Sequence, residues 1–186
     1  MSLSPDQAAA ALHDIDCMER RTQVATGYAI ASPYLILWGL VWIAGYGASA
    51  VVPPERWGLV WLPLVIVGGA GSGWLGSRAR GGGARQGAFS QSVLLAAAVF
   101  LFIASVYYVF RPASVQPYLV FPSLIAGLVY TLAGALARMA RFVWIGAGIF
   151  LLTMAGFIAA PQYMAIWVAI AGGGGLLLGG LWLRKV

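Results

Sequence analysis

The residues best suited to metal or redox chemistry lie near the amino terminus. His13, Asp16 and Cys17 fall at positions i, i+3 and i+4, which share one side of a helix. Imidazole, carboxylate and thiolate groups are all metal ligands in proteins. The chain has one His and one Cys, so no second cluster completes a site. We therefore interpret these residues as a solvated helix face and predict no metal, with a metal or redox site as the alternative.

The polar residues elsewhere offer little further chemistry. The long apolar stretches contain no Asp, Glu, Lys, Arg, His or Cys, and the only lysine is Lys185. A serine nucleophile needs a neighbouring base, and proton coupling inside a membrane needs a carboxylate or His. Haem needs axial His, Met, Cys or Tyr ligands, and the single His lies outside the apolar stretches. We predict a protein that is not an enzyme and holds no cofactor.

Two tryptophans are placed where a ligand could meet them. Trp38 and Trp42 are one helical turn apart and face the same way, deeper in their apolar stretch than the other tryptophans. Such a pair can line a cavity or hold a ring-bearing ligand. Packing against neighbouring helices is the favoured interpretation, and cavity lining is the alternative.

Six apolar stretches position these residues. A helix needs about 20 mainly apolar residues to cross a bilayer. The chain has 186 residues, of which 61% are apolar and 9% charged, against roughly 25% charged in a soluble domain. We predict an all-α integral membrane protein, with a short cytoplasmic segment (1–26) and one transmembrane domain (27–186). The predicted spans are about 28–50, 57–76, 88–110, 117–137, 142–160 and 163–183.

The basic residues are distributed unevenly about these spans. Of the 11 Lys and Arg residues, only Arg56 and Arg111 lie on one side of the predicted membrane, and the remaining nine lie on the other. This positive-inside pattern predicts that both termini are cytoplasmic, and the composition suggests the inner membrane of a bacterium. It also explains the net charge of +6 without nucleic acid. The predicted inner-face contacts to lipid headgroups are Arg78, Arg80, Arg138, Arg141, Arg184 and Lys185.

The amino-terminal segment has the pattern of a separate helix. Ser4-Pro5-Asp6-Gln7 is typical of a helix start, because Ser4 can cap the helix and Gln7 completes a capping box. Small and apolar residues then recur on one side as far as about Ala25. We predict an amphipathic helix lying on the inner face of the membrane, with docking onto the cytoplasmic loops or a partner as the alternative. The recurring residues are Ala8, Ala11, Leu12, Ile15, Met18, Thr22 and Ala25.

The six spans divide into three similar pairs. When Trp61, Phe121 and Trp167 are aligned, small residues and basic residues on either side of them also align. The aligned sets include Gly45, Ser105 and Gly156, and Arg78, Arg138 and Arg184. We predict three helical hairpins, made of spans 1–2, 3–4 and 5–6, and leave open whether the repeat is evolutionary or compositional. Two inverted halves are the alternative, supported by Pro33-Tyr34-Leu35 and Pro117-Tyr118-Leu119.

Small residues recur within the spans at the spacing that brings helices together. Lipid tails are as apolar as leucine, so helices in a membrane associate where small residues allow close backbone approach. A lipid, carotenoid or quinone lying against the glycine face is the alternative. The predicted helix-packing residues are Gly45, Ser49, Gly69, Gly73, Gly172, Gly173, Gly174, Gly175 and Gly179.

Short motifs near the turns carry a family resemblance over about residues 28–186. They are Ala44-Gly45-Tyr46 with Pro53, Ala104-Ser105 with Pro112, Ala155-Gly156-Phe157 with Pro161, Gly68-Gly69 and Gly174-Gly175. On these motifs the chain resembles the HdeD-like family of small bacterial inner-membrane proteins. The resemblance implies six helices in three hairpins and an association with acid-stress resistance, and transfers no catalytic residue. The acid-gated urea and amide channels are similar in architecture only, because the outer loops here offer Glu55 and no His.

Two classes of function fit these observations. The first is a structural, accessory or stress-related membrane protein that packs through glycine faces against other membrane proteins or copies of itself. The second is a channel or carrier for a small neutral or apolar solute, lined by Trp38, Trp42 and inward Ser and Tyr side chains. The predicted partners are therefore membrane lipids and a membrane protein or second copy, with no nucleic acid.

Overall fold

A computed structural model describes residues 5–79 and 86–185, with the side chains of 12, 14–78 and 93–185. Ser4, Arg80 and the side chain of His13 lie outside this part. The described chain is all helical: α1 (Pro5–Ser49), α2 (Trp57–Ala79), α3 (Gln86–Phe110), α4 (Gln116–Leu136), α5 (Ala140–Ala159), α6 (Met164–Val168) and α7 (Gly175–Leu183). A π-helical segment, Ala169–Gly174, joins α6 to α7, and 3-10 turns at Pro54–Arg56 and Pro161–Tyr163 precede α2 and α6.

All six predicted spans are confirmed as helices long and apolar enough to cross a membrane. The sixth runs through the 3-10 turn, α6, the π-helical segment and α7, and is called the sixth span below. Together the six helices make the chain a candidate multi-pass membrane protein. Their bounds are Asp14–Ser49, Pro54–Arg78, Val93–Phe110, Gln116–Leu136, Ala140–Ala159 and Pro161–Leu183.

The separate amino-terminal helix expected from the sequence is not observed. α1 is one helix of 45 residues, or about 67 Å at 1.5 Å per residue, more than twice the roughly 30 Å hydrocarbon core. No proline interrupts the backbone hydrogen bonds where the amino-terminal segment meets the first span. Local bonds support the continuous helix, since the Thr22 hydroxyl donates to the Met18 carbonyl and the Gln23 amide donates to Glu19. The segment therefore extends the first span.

The centre of the bundle is the contact between α1 and the sixth span. The hydroxyl of Ser32 donates a 2.7 Å hydrogen bond to the carbonyl of Gly180, so the two backbones lie close together. Two buried clusters form around this contact. The Tyr28 cluster comprises Tyr28, Leu35, Phe142, Ile145, Ile149, Leu176 and Leu183. The Tyr46 cluster comprises Tyr46, Leu119, Val120, Met164, Ala165, Val168 and Ala169.

α4 and α5 form the most closely packed pair of neighbouring helices. A methyl group added at Gly134 would lie 2.6 Å from the backbone nitrogen of Val143, so the helices approach at backbone distance. The turn between them reverses sharply at Arg138, whose φ is 54°. The amide of Met139 donates to Gly134 and that of Arg138 to Ala135, which is the Schellman pattern of a helix end.

α2 and α3 lie at the edge of the bundle. α2 packs on α1. α3 meets α4 through aromatic rings, among them Tyr107 of α3 and Tyr118 of α4. The hydroxyl of Tyr107 donates a hydrogen bond to the backbone carbonyl of Tyr118 at 3.2 Å. That carbonyl is four residues before Pro122, which has no N–H to offer it. A side chain from a neighbouring helix thus satisfies a backbone group freed by proline, as a membrane interior requires.

The closest packing does not follow the predicted hairpins. α4 with α5, and α1 with the sixth span, are each contacts between different predicted hairpins. α3 and α4, which form one predicted hairpin, meet at few residues. The three-hairpin arrangement stays a prediction.

Candidate functional site

The glycine-rich part of the sixth span lies against three other helices. A methyl group at Gly173 would lie 2.8 Å from the backbone nitrogen of Ile43 in α1, and one at Gly172 would lie 3.0 Å from the Trp42 ring. Methyl groups at Gly175 and Gly179 would lie 3.0 and 2.8 Å from Ile149 and Ile145 of α5, respectively. These four predicted packing positions therefore do bring helices together, within the chain's own bundle.

Three of the predicted packing glycines do not contact a neighbouring helix. A methyl group at Gly69, Gly73 or Gly174 would meet no atom within 4 Å beyond its own helix. On α2 the contact falls instead at Gly68, which faces Trp38, and at Gly71, which faces Leu37. A shift of one residue turns a helix position by about 100°, so Gly69 and Gly73 face away from α1, and packing of another helix against them stays a prediction.

Trp38 and Trp42 pack against glycines. The Trp38 ring lies over Gly68, and its indole nitrogen donates to the Ser72 hydroxyl at 3.1 Å. The Trp42 ring lies over Gly172 of the sixth span and meets Tyr46 edge-on at 5.5 Å. One tryptophan therefore holds α2 against α1, and the other holds the sixth span.

Two aligned positions of the predicted repeat make the same kind of contact. The Trp61 ring lies on Gly45, and its indole nitrogen donates to Ser49, whose hydroxyl in turn donates to the Gly45 carbonyl. The Trp167 ring lies on Gly156 in the same way, and its indole nitrogen donates to a carbonyl of α5 at 2.7 Å. In both places a tryptophan of an even-numbered span covers a glycine of the preceding span.

A buried pair of hydroxyl groups lies beside the π-helical segment. Ser123 of α4 and Thr153 of α5 are hydrogen-bonded at 2.8 Å, and both residues are 0% exposed. A methyl group at Gly172 would lie 3.2 Å from the Ser123 oxygen, so the sixth span closes over the pair. Nothing in the spacing of the two residues, 30 positions apart, predicts that they meet.

We expect the Ser123 and Thr153 hydroxyls to stabilise the bundle as a pair. Ser123→Ala and Thr153→Val should each lower the free energy of unfolding by about 1 kcal/mol, because each leaves the other hydroxyl without its partner. The double variant should show a coupling energy of roughly 0.6–1.7 kcal/mol, the range for hydrogen bonds between membrane helices. Unfolding in mixed micelles measures both. Ser105→Ala, at an exposed position of α3, is the control, and purely additive losses would contradict the pair.

Several predicted lipid-contacting arginines lie beside aromatic rings. The Arg141 guanidinium lies 5.1 Å from the Trp182 ring and 5.6 Å from the Tyr28 ring, and donates to the Trp182 carbonyl at 2.8 Å. It thus satisfies a carbonyl in the last turn of α7. Arg78 lies 3.9 Å over the Trp74 ring. Arg138, Arg184 and Lys185 are exposed, and lipid contacts of all these residues stay a prediction.

The polar and small side chains of the described residues make contacts between helices and hydrogen bonds within the bundle. Among them, no group of three or more His, Cys, Asp or Glu side chains is placed to hold a metal ion. The His13 alternative is untested, because that side chain lies outside the described part. These contacts hold the apolar helices together as one bundle.

Comparison with known proteins gives no relative to argue from. No protein-family model, curated protein or solved structure matches the chain. The interpretation therefore depends on the residues and their geometry.

Proposed function

We propose that the protein is a structural or accessory subunit of a membrane assembly, which packs against other membrane proteins through α2 and α3. The observation that carries this proposal is how little of these two helices the chain itself covers. In the most apolar stretch of α3 none of the residues is buried, and in that of α2 only 6% are. The sixth span, by comparison, has 56% of its most apolar stretch buried.

The outward side of α2 suits a neighbouring helix. Gly69 and Gly73 form a small-xxx-small pair with open space above both positions, and such pairs allow close approach of another helix in lipid. Aromatic ring contacts hold one end of α3 against α4. Elsewhere on α3, large apolar side chains such as Leu94 and Leu101 are 71% and 70% exposed. A partner helix placed here would cover surface that the chain leaves to lipid.

The wider setting is part of the same proposal. The distribution of Arg and Lys supports an inner-membrane protein of a bacterium with both termini in the cytoplasm. The resemblance to the HdeD-like family supports a role in stress resistance. The channel alternative has less support, because Trp38 and Trp42, its proposed lining, are packed against Gly68 and Gly172.

Neighbouring glycines of α2 provide a matched test. We expect Gly69→Leu to leave the fold intact and to remove bound membrane proteins, because its side chain would project into the proposed interface. Gly68→Leu should instead disturb the fold, since even a methyl group there lies 3.2 Å from the Trp38 ring. Native mass spectrometry after gentle extraction, together with thermal unfolding, separates the two effects. An unchanged set of bound subunits in the Gly69 variant, or no bound subunit in the wild type, would contradict the accessory role.

A further inference from the structure

The cytoplasmic end of α1 exposes apolar side chains to water. Tyr28 lies beside Arg141, whose guanidinium reaches the last turn of α7, so the charged end of the bundle is at the level of Tyr28. The 23 residues of α1 before it extend about 34 Å further. Along this extension Leu12, Ile15 and Met18 are 63%, 59% and 69% exposed.

The membrane surface is a poor cover for this segment. A helix that lies on a membrane has Lys and Arg on its polar side, which attract anionic headgroups. Here the residues before Arg20 that are charged at neutral pH are all acidic: Asp6, Asp14, Asp16 and Glu19. An anionic surface repels that stretch, and the continuous helix through residue 49 directs it away from the bundle.

The apolar residues have the spacing of a coiled-coil seam. Positions 8, 11, 15, 18, 22 and 25 are separated alternately by three and four residues, and carry Ala, Ala, Ile, Met, Thr and Ala. This is the a and d pattern of nearly three heptads. Leu12 lies directly beside the seam, at an e position.

Within the first span, α1 has an open strip beside the direction of the seam. The heptad positions that follow the seam pack within the chain's own bundle, since Ser32 and Tyr46 are buried and Ile43 lies against Gly173. The open strip is exposed at Thr26, Ala29, Ile30, Leu40, Ala44 and Gly47. A shallow open groove of about 520 Å³ runs along α1 from Glu19 to Ile30, where the two parts join.

We propose that the partner on this surface is a second copy of the chain, bound in parallel through α1. Copies inserted in one membrane with one topology carry their α1 helices in parallel and at the same height, which is what a parallel coiled coil requires. The seam runs along residues 8–25, and the open strip of the first span lies beside its direction. This inference does not depend on the accessory role, since the dimer forms whether or not other proteins bind α2 and α3.

The charges beside the seam make the dimer a reversible one. In a parallel pair, the g position of one helix faces the e position of the next heptad on the other helix. Asp14 of one copy then faces Glu19 of the second, and like charges weaken the contact. Glu19→Lys replaces this repulsion with attraction on both sides of the seam. An antiparallel pair places Glu19 opposite Leu12 instead, so the substitution tests orientation.

Disulfide trapping in membrane vesicles tests the proposal with the full-length protein. In a Cys17→Ser background, we expect oxidation to yield several-fold more dimer for Ile15→Cys and Met18→Cys than for Arg20→Cys, which lies on the opposite side of α1. Within the membrane, Leu40→Cys should exceed Leu101→Cys on α3 in the same way. Two cysteines join only when their Cα atoms approach within about 7 Å, so random collision yields no such preference.

Adding Glu19→Lys to the Met18→Cys variant should raise the dimer yield several-fold further. Equal yields at seam and control positions would overturn the dimer. A strong yield at the seam that Glu19→Lys leaves unchanged or lowers would overturn the parallel orientation. A second protein trapped by the seam cysteines, with no self-dimer, would overturn the assignment of the partner. Loss of bound subunits in the Gly69→Leu variant reports separately on the accessory role.

Discussion

Replacing Gly146 with valine is expected to lower the free energy of unfolding by about 3 kcal/mol, the upper end of the usual cost of overpacking. A methyl group at Gly146 would contact the backbone nitrogen and hydroxyl oxygen of Thr131 and would lie 2.5 Å from the carbonyl oxygen of Gly127. Backbone atoms cannot move aside as a flexible side chain does, so α4 and α5 must separate. Their separation would expose backbone polar groups and break the closest helix pair in the bundle.

Gly148 provides the control for this prediction, two residues away in the same helix. A methyl group there meets nothing within 4 Å, so Gly148→Val adds the same side chain to α5 without touching α4. We expect Gly148→Val to unfold in mixed micelles close to the wild type. Similar losses in the two variants would show that α4 and α5 do not meet at Gly146.

Gly173→Val should also be strongly destabilising, with an expected loss of about 2–3 kcal/mol. A methyl group at Gly173 would lie 2.8 Å from the backbone nitrogen of Ile43 and 3.1 Å from the carbonyl of Gly39, both in α1. The contact between α1 and the sixth span forms the centre of the bundle. Loosening it should also disturb the packing of Trp42 on Gly172, so the tryptophan fluorescence of the folded protein should shift.

A variant at Gly174, the next residue, distinguishes the loss of a packing contact from a change in helix propensity. Gly174 belongs to the same run of four glycines and the same π-helical segment, yet has open space where a side chain would be. Gly174→Val should therefore retain the stability and fluorescence of the wild type. If both variants lose stability equally, the glycine run is required for its backbone conformation, and the predicted contact at Gly173 is wrong.

The amino-acid sequence correctly predicted six helices long and apolar enough to cross a membrane, because a bilayer imposes a rule on consecutive residues. About 20 apolar residues in a row are needed to cross the hydrocarbon core, and a run of that kind can be read without knowing its neighbours. Contacts between helices are observed at five of the small residues, Gly45, Gly172, Gly173, Gly175 and Gly179.

The sequence could not say which side of each helix faces its neighbours. In α2 the apolar residues are spread almost evenly around the axis, so Gly68 and Gly69 are equivalent in sequence although only Gly68 meets α1. Lipid and the bundle interior are equally apolar, and hydrophobicity therefore cannot distinguish them. Backbone approach between particular helices makes that choice.

The amino-terminal part of α1 also shows what the sequence predicts and what only the tertiary structure decides. The pattern of small and apolar residues from Ala8 to Ala25 is that of an amphipathic helix, and the sequence predicted one lying on the membrane. Only the tertiary structure showed that it continues into the first span, because no proline lies between Pro5 and Pro33 to interrupt the backbone hydrogen bonds where the two parts join. The sequence by itself determined the six long apolar segments, the lack of Asp, Glu, Lys, Arg, His and Cys within the predicted spans and the uneven distribution of basic residues about them. The tertiary structure decided which helices meet, at which residues, and where the hydroxyls of Ser123 and Thr153 find each other.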